Sequence, residues 1–125
     1  MILDTTALSA MFRGDAGLAG LLETTSQLHL PVIVLGEYRF GLLNSRLRRS
    51  IEPLLKILES ESVILPVDHD TVQPYAEVRD RLRRAGKPLP QNDTWIAALA
   101  LQHELPIASL DKHFDAVAGV RRISW

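Results

Sequence analysis

The segment MILDTTALSAMF, residues 1–12, decides the fold. Met1, Ile2 and Leu3 make a short continuous apolar run, which reads as a strand buried on both faces. The run ends on Asp4, and TTALSAMFR follows with helix-forming residues and Thr5 or Thr6 as the cap. A buried strand thus passes straight into a helix, with a carboxylate at the joint.

Outward from this segment the alternation repeats. A short helix is expected over 16–24, and LHL at 28–30 is strand-like. Pro31 suits the first turn of a helix, although the β-branched start of PVIVLGEYRFGLLNS could prolong the strand. The spacing favours a helix from about 31 to 44, with Val34, Tyr38 and Leu42 in one stripe and Glu37 and Gly41 in another. Residues 47–60 read as a helix with Ile51, Leu54, Leu55 and Leu58 inward, where Pro53 fits an early turn better than the middle. SVILPV at 62–67 is the clearest strand. Asp68 or Asp70 can cap the next helix, in which Val72, Tyr75, Ala76, Val78 and Leu82 recur at helical spacing until Gly86 stops it. GKPLPQ makes a rigid loop leading to a helix at 92–104. LPIASLD is a strand ending at Asp111, KHFDAV a turn or short helix, and VRRISW a last edge strand. This order predicts an α/β domain over residues 1–125, a central mostly parallel sheet with helices on both faces. Ligands of such sheets bind beyond the carboxyl ends of the strands.

Composition narrows the chemistry. With 125 residues, 46% of them hydrophobic, the chain can build one sizeable core and is too apolar to be disordered. Fourteen basic residues against fifteen acidic give a net charge of -1, which argues against nucleic-acid binding through bulk charge but allows local basic patches. The absence of cysteine excludes disulfides, thiolate zinc sites and cysteine nucleophiles. No basic leader or long apolar segment is visible, so a cytoplasmic protein without membrane attachment is expected.

Most of the acids read as solvated helix face. Asp4, Glu37, Asp93 and Asp111 are placed differently. Read singly, each has a plain structural role. Asp93 can be an N-cap or first-turn acid of the most apolar helix, NDTWIAALA, and Asp4 and Asp111 can cap the helices after their strands. Glu37 can sit on a partly exposed face, although a carboxylate among apolar neighbours needs partners or neutralisation. Read together, Asp4 and Asp111 leave a parallel sheet at the same edge, and Asp93 and Glu37 start near it. Like charges converge when a cation holds them, and hard oxygen donors without cysteine favour Mg2+ or Mn2+. His29, His69, His103 and His113 show no ligand spacing and read as surface or turn. Gly41, one turn from Glu37, allows close approach by a substrate backbone or, equally, by another helix.

SRLRRS at 45–50 and RDRLRRAGK at 79–87 hold eight of the fourteen basic residues. Arg46, Arg49, Arg79, Arg83 and Lys87 are candidates for phosphate contacts; plain solvated surface accounts for them as well. Trp95, Phe40, Tyr38, Tyr75 and Phe114 read as core or interface aromatics, and no glycine-rich phosphate loop or Ser-His-Asp order is present.

In their order and spacing, MILDTTALSAMF, LGEYRFGL, LRRAGKPLPQNDTWIAALAL and PIASLDKHFDAV resemble the PIN-domain ribonucleases, specifically the VapC toxins of toxin–antitoxin pairs. The resemblance covers essentially the whole chain. It implies a PIN-like three-layer sandwich and a catalytic acid set of Asp4, Glu37, Asp93 and Asp111. It also implies Thr5, Ser109 and Asp115 as supporting positions, with Asn92 a candidate beside them. Thr6 stands where the family often has asparagine, so the hydrogen bonding of that loop is expected to differ. The implied function is a Mg2+- or Mn2+-dependent endoribonuclease, inhibited by a VapB-like antitoxin. Homodimers, larger toxin–antitoxin complexes and contact with promoter DNA through the antitoxin alone go with it. The rival readings are a catalytically quiet PIN-like regulatory module and a metal-dependent DNA nuclease or phosphatase.

Overall fold

The computed structural model describes all residues, 1–125. Its sheet is built from β1 (Ile2–Leu3), β2 (His29–Pro31), β3 (Val63–Leu65), β4 (Ile107–Ala108) and β5 (Arg122–Ile123). The strands lie in the order β3-β2-β1-β4-β5, and every pair is parallel. Ile2 aligns with both His29 and Ile107, and Leu3 aligns with Ala108. The chain therefore grows from β1 toward β3 on one side, then returns to place β4 on the other. That reversal opens a crevice beyond the carboxyl ends of β1 and β4, the place where open parallel sheets hold their ligands.

Strands this short contribute few ladder hydrogen bonds, so burial against helices holds the sheet. Ile2, Leu3, Leu30 and Ile107 are wholly inaccessible and share one core with Leu8, Val34, Ile96, Leu99 and Phe114. The helices are α1 (Thr5–Phe12), α2 (Ala16–Glu23), α3 (Val32–Leu42), α4 (Arg48–Glu61), α5 (Val72–Arg84) and α6 (Gln91–His103). None is long and apolar enough to cross a membrane. Helix α6 buries Thr94, Ile96, Ala97, Ala98, Leu99 and Ala100, an apolar surface on nearly all sides that fits a central helix. Tyr75 of α5 stacks on Trp95 of α6, with centroids 3.6 Å apart and planes 15° from parallel. Gln102 accepts from Thr71 at 2.6 Å and donates to Asp68 at 3.2 Å, which fastens the other end of α6 to the 3-10 turn at His69–Thr71.

Several details differ from the sequence expectation. Pro31 closes β2 and caps α3 from outside its first turn. SVILPV supplies an edge strand with Val63 and Ile64 exposed, because nothing pairs beyond β3. Leu54 is half exposed, since Ile51 and Leu55, one turn apart, already form the inward stripe of α4. Val72 and Ala76 also face outward; a 3-10 turn precedes α5, and Thr71 takes the buried position at the joint.

Gly119 turns the chain into β5 at φ +86, and a methyl there would lie 3.0 Å from Leu101 Cδ2. Gly119→Ala is expected to cost about 1–2 kcal/mol through left-handed backbone strain and crowding, read as a lower urea midpoint with an unchanged slope.

Candidate active site

The first acid of the crevice is fixed by local chemistry. Asp4 leaves β1 in extended backbone and is itself the N-cap of α1, in place of Thr5 or Thr6. Its Oδ1 accepts from the Ala7 amide at 2.9 Å and from Thr6 Oγ1 at 2.6 Å, while Ser109 Oγ donates to Oδ2. A carboxyl group only 3% exposed needs such donors in place of the water it has lost. Both hydroxyls also accept amides from the segment after β4: Thr6 Oγ1 from Leu110 at 3.0 Å and Ser109 Oγ from Asp111 at 2.9 Å. Two side chains thus clip the end of β1 to the end of β4. The threonine at position 6, a departure from the family's frequent asparagine, makes the bond to Asp4, whereas Thr5 lines the groove beside Glu37.

Asp111 caps the 3-10 turn Lys112–Ala116, its Oδ1 accepting from the His113 amide at 2.9 Å. Phe114, fully buried in that turn, anchors it to the core. Asp93 is the third residue of α6, a first-turn acid and not the cap, which falls to Pro90. The ring stack of Trp95 on Tyr75 and the burial of Ile96 set the direction in which the start of α6 points.

Asp93 carries the electrostatic signature of the crevice. Its pKa is pushed up to about 6, first by burial and then by the charges of Asp111, Glu37 and Asp4, with His113 opposing. All four acids therefore act on one region. Asp93, Asp111 and His113 can each offer a ligand atom, with these atoms within 4.8 Å of one another. Carboxylate charge beside a half-buried acid is the environment a hard divalent cation relieves, so the donor set fits such an ion. Sequence reasoning passed over His113, because its proximity comes from the 3-10 turn; the only local signal is its position two residues after Asp111.

Glu37 sits half-buried on α3 in a groove with Thr5, Ser9, Tyr38, Gly41 and Ser45. A Cβ on Gly41 would meet nothing within 4 Å, so this glycine leaves open space and accommodates no packed helix. The supporting candidates are spread more widely. Asn92 is exposed at the start of α6, and Asp115 is held by Arg122 at 2.8 Å. Arg122 also donates to the Ser109 carbonyl at 3.1 Å, bracing the chain just before Asp111. Among the basic candidates, Arg79 donates to Tyr75 Oη at 2.9 Å and Arg83 pairs with Asp80 at 3.0 Å. Arg79 and Arg83 line a hollow with Gln91 and Thr94 at the start of α6. Arg46, Arg49 and Lys87 are exposed.

Ser109→Ala would strip a donor from buried Asp4 and an acceptor from the Asp111 amide. A loss of about 1–3 kcal/mol is expected in urea denaturation.

An all-parallel sheet with acids gathered at its switch point defines a three-layer α/β protein with an acidic crevice. Residues 1–120 match the PIN domain, and the chain belongs to the PIN-domain family, in its VapC group. It is 34% identical to Ribonuclease VapC5 of Mycobacterium tuberculosis over 124 residues, covering 98% of this chain and 90% of that protein. VapC ribonuclease Y4jK of Sinorhizobium fredii is 30% identical over 132 residues, covering 96% of this chain and 93% of the relative. In fold it is similar to VapBC2 from Rickettsia felis bound to a DNA fragment from their promoter, with TM-score 0.88, 21% identity and coverage of 99% and 97%. VapBC-5 from Mycobacterium tuberculosis aligns with TM-score 0.76, 27% identity and coverage of 99% and 97%.

Proposed function

We propose that residues 1–125 form one nuclease domain, a Mg2+- or Mn2+-dependent endoribonuclease that acts as the toxin of a toxin–antitoxin pair. The observation that carries this is the approach of ligand atoms of Asp93, Asp111 and His113 to within 4.8 Å of one another, with the charges of Glu37 and Asp4 also acting on half-buried Asp93. The relatives named as ribonucleases support RNA as the substrate class. Asp4, Asp93 and Asp111 hold the principal ion, directly or through water, and Glu37 completes the cage. When bound, the ion polarises the scissile phosphate and makes a neighbouring water acidic. The carboxylates orient that water and take its proton; attack on phosphorus is in line and the 3′ oxygen leaves.

Thr6 and Ser109 keep Asp4 aimed, while Thr5, Asn92 and Asp115 support the rim. Arg46, Arg49, Arg79, Arg83 and Lys87 position the RNA backbone, Arg83 after release from Asp80. A VapB-like antitoxin blocks the crevice in the cytoplasm, and the larger assembly of homodimers with antitoxin meets promoter DNA through the antitoxin alone. The similarity to VapBC complexes, one with promoter DNA, supports this.

Structured RNAs incubated with the protein should be cut in Mg2+ or Mn2+ and left intact in chelator. The ends should be 5′-phosphate and 3′-hydroxyl, and a VapB-like partner should stop the reaction. Cyclic 2′,3′-phosphate ends, or full activity in chelator, would reject the reading; cleavage of DNA alone would favour the DNA-nuclease alternative.

A further inference from the structure

We infer that His113 gives an imidazole nitrogen directly to the ion held by Asp93 and Asp111, so that the site prefers a first-row transition-metal ion to Mg2+. The inference rests on the acid-site reading above and adds a ligand to it. Asp93, Asp111 and His113 can present one donor atom each within 4.8 Å of one another, a spacing that small rotations bring around a single ion. His113 Nδ1 lies 3.0 Å from Asp111 Oδ1. Neighbouring donors around an octahedral ion, each ~2.1 Å from it, are themselves about 3 Å apart.

The backbone delivers the ring to this place. Asp111 Oδ1 accepts the His113 amide at 2.9 Å as it caps the 3-10 turn, which holds residue 113 beside the carboxylate. The capping bond takes one lone pair of Oδ1 and leaves the other for an ion, while the second oxygen of Asp111 accepts no protein donor. The His113 side chain is 68% exposed. An all-carboxylate cage suits Mg2+, whereas adding imidazole selects ions that accept nitrogen.

The test titrates Mn2+ and Mg2+ into the full chain, wild type, His113→Ala and Asp93→Asn, with pulsed EPR of the Mn2+ complex. Wild type should show 14N hyperfine coupling that His113→Ala lacks. His113→Ala should weaken Mn2+ by ~10-fold or more and Mg2+ by less than about 3-fold. Absence of nitrogen coupling in wild type, or equal weakening of both ions, overturns the inference and leaves His113 as a partner of Asp111 only. Mn2+ binding that depends on Asp93 but not on His113 rejects the inference while sparing the acid site. Binding indifferent to Asp93 rejects both.

Discussion

Asp93→Asn is expected to lower metal-dependent RNA cleavage by more than about 100-fold and, at the same time, to raise the melting temperature of the metal-free protein. The activity loss should exceed the ~10–100-fold typical of losing a ligand's outer partner, because the ligand itself goes. The stability gain follows from linkage. Asp93 titrates at about 6 in the fold against an ordinary aspartate's 3.8, so the folded state binds the extra proton. Ionised Asp93 therefore opposes folding fully above about pH 6, and the penalty fades as pH falls toward 4. Asparagine removes it. With screening at a half-exposed carboxylate allowed for, the gain at pH 7.5 is about 1 kcal/mol, or roughly 3–5 °C, shrinking to nothing near pH 4. Thermal melts of both proteins across this range check the sign. Saturating Mn2+ should reverse the ranking, since only the wild type gains from binding.

The second large effect concerns stability. Phe114→Ala empties a fully buried position in the core and should cost about 3–5 kcal/mol, a substantial part of the ~5–15 kcal/mol that holds a domain together. The same residue pins the turn that begins at Asp111. Calorimetry should show the melting temperature falling by roughly 10–25 °C. Mn2+ affinity measured well below the transition should fall as well. Phe114→Leu, which keeps most of the volume, should recover the greater part of both.

Much of this was legible in the sequence because the informative residues stand where elements end. Asp4 and Asp111 are conspicuous as acids closing apolar runs, and the parallel sheet follows from the alternation of such runs with helical spacing. The apolar body of α6 announced a central helix, and its first-turn acid was visible for the same reason. What was not legible depends on three dimensions. Periodicity marks which residues of α4 and α5 are apolar, but only the neighbours decide that Leu55 is buried and Leu54 half exposed. Hydrogen bonds between sites far apart in the chain carry no local trace, so Thr6 looked like a deviation until its bonds to Asp4 and to the Leu110 amide could be seen. His113 was hidden by the short 3-10 turn, whose geometry leaves no repeating pattern to read.

The clip between Thr6, Asp4 and Ser109 also ties together distant parts of the chain. Its partners lie 105 positions apart, Asp4 and Ser109 being joined only where β1 meets β4. During synthesis Asp4 emerges 105 residues before Ser109, the partner that holds its second oxygen. A chain released prematurely, or clipped ahead of residue 107, keeps Asp4 and Glu37 but has no Asp111 to set beside them. The acidic crevice therefore belongs to no single segment: it exists only where the first strand and the fourth are both present and paired.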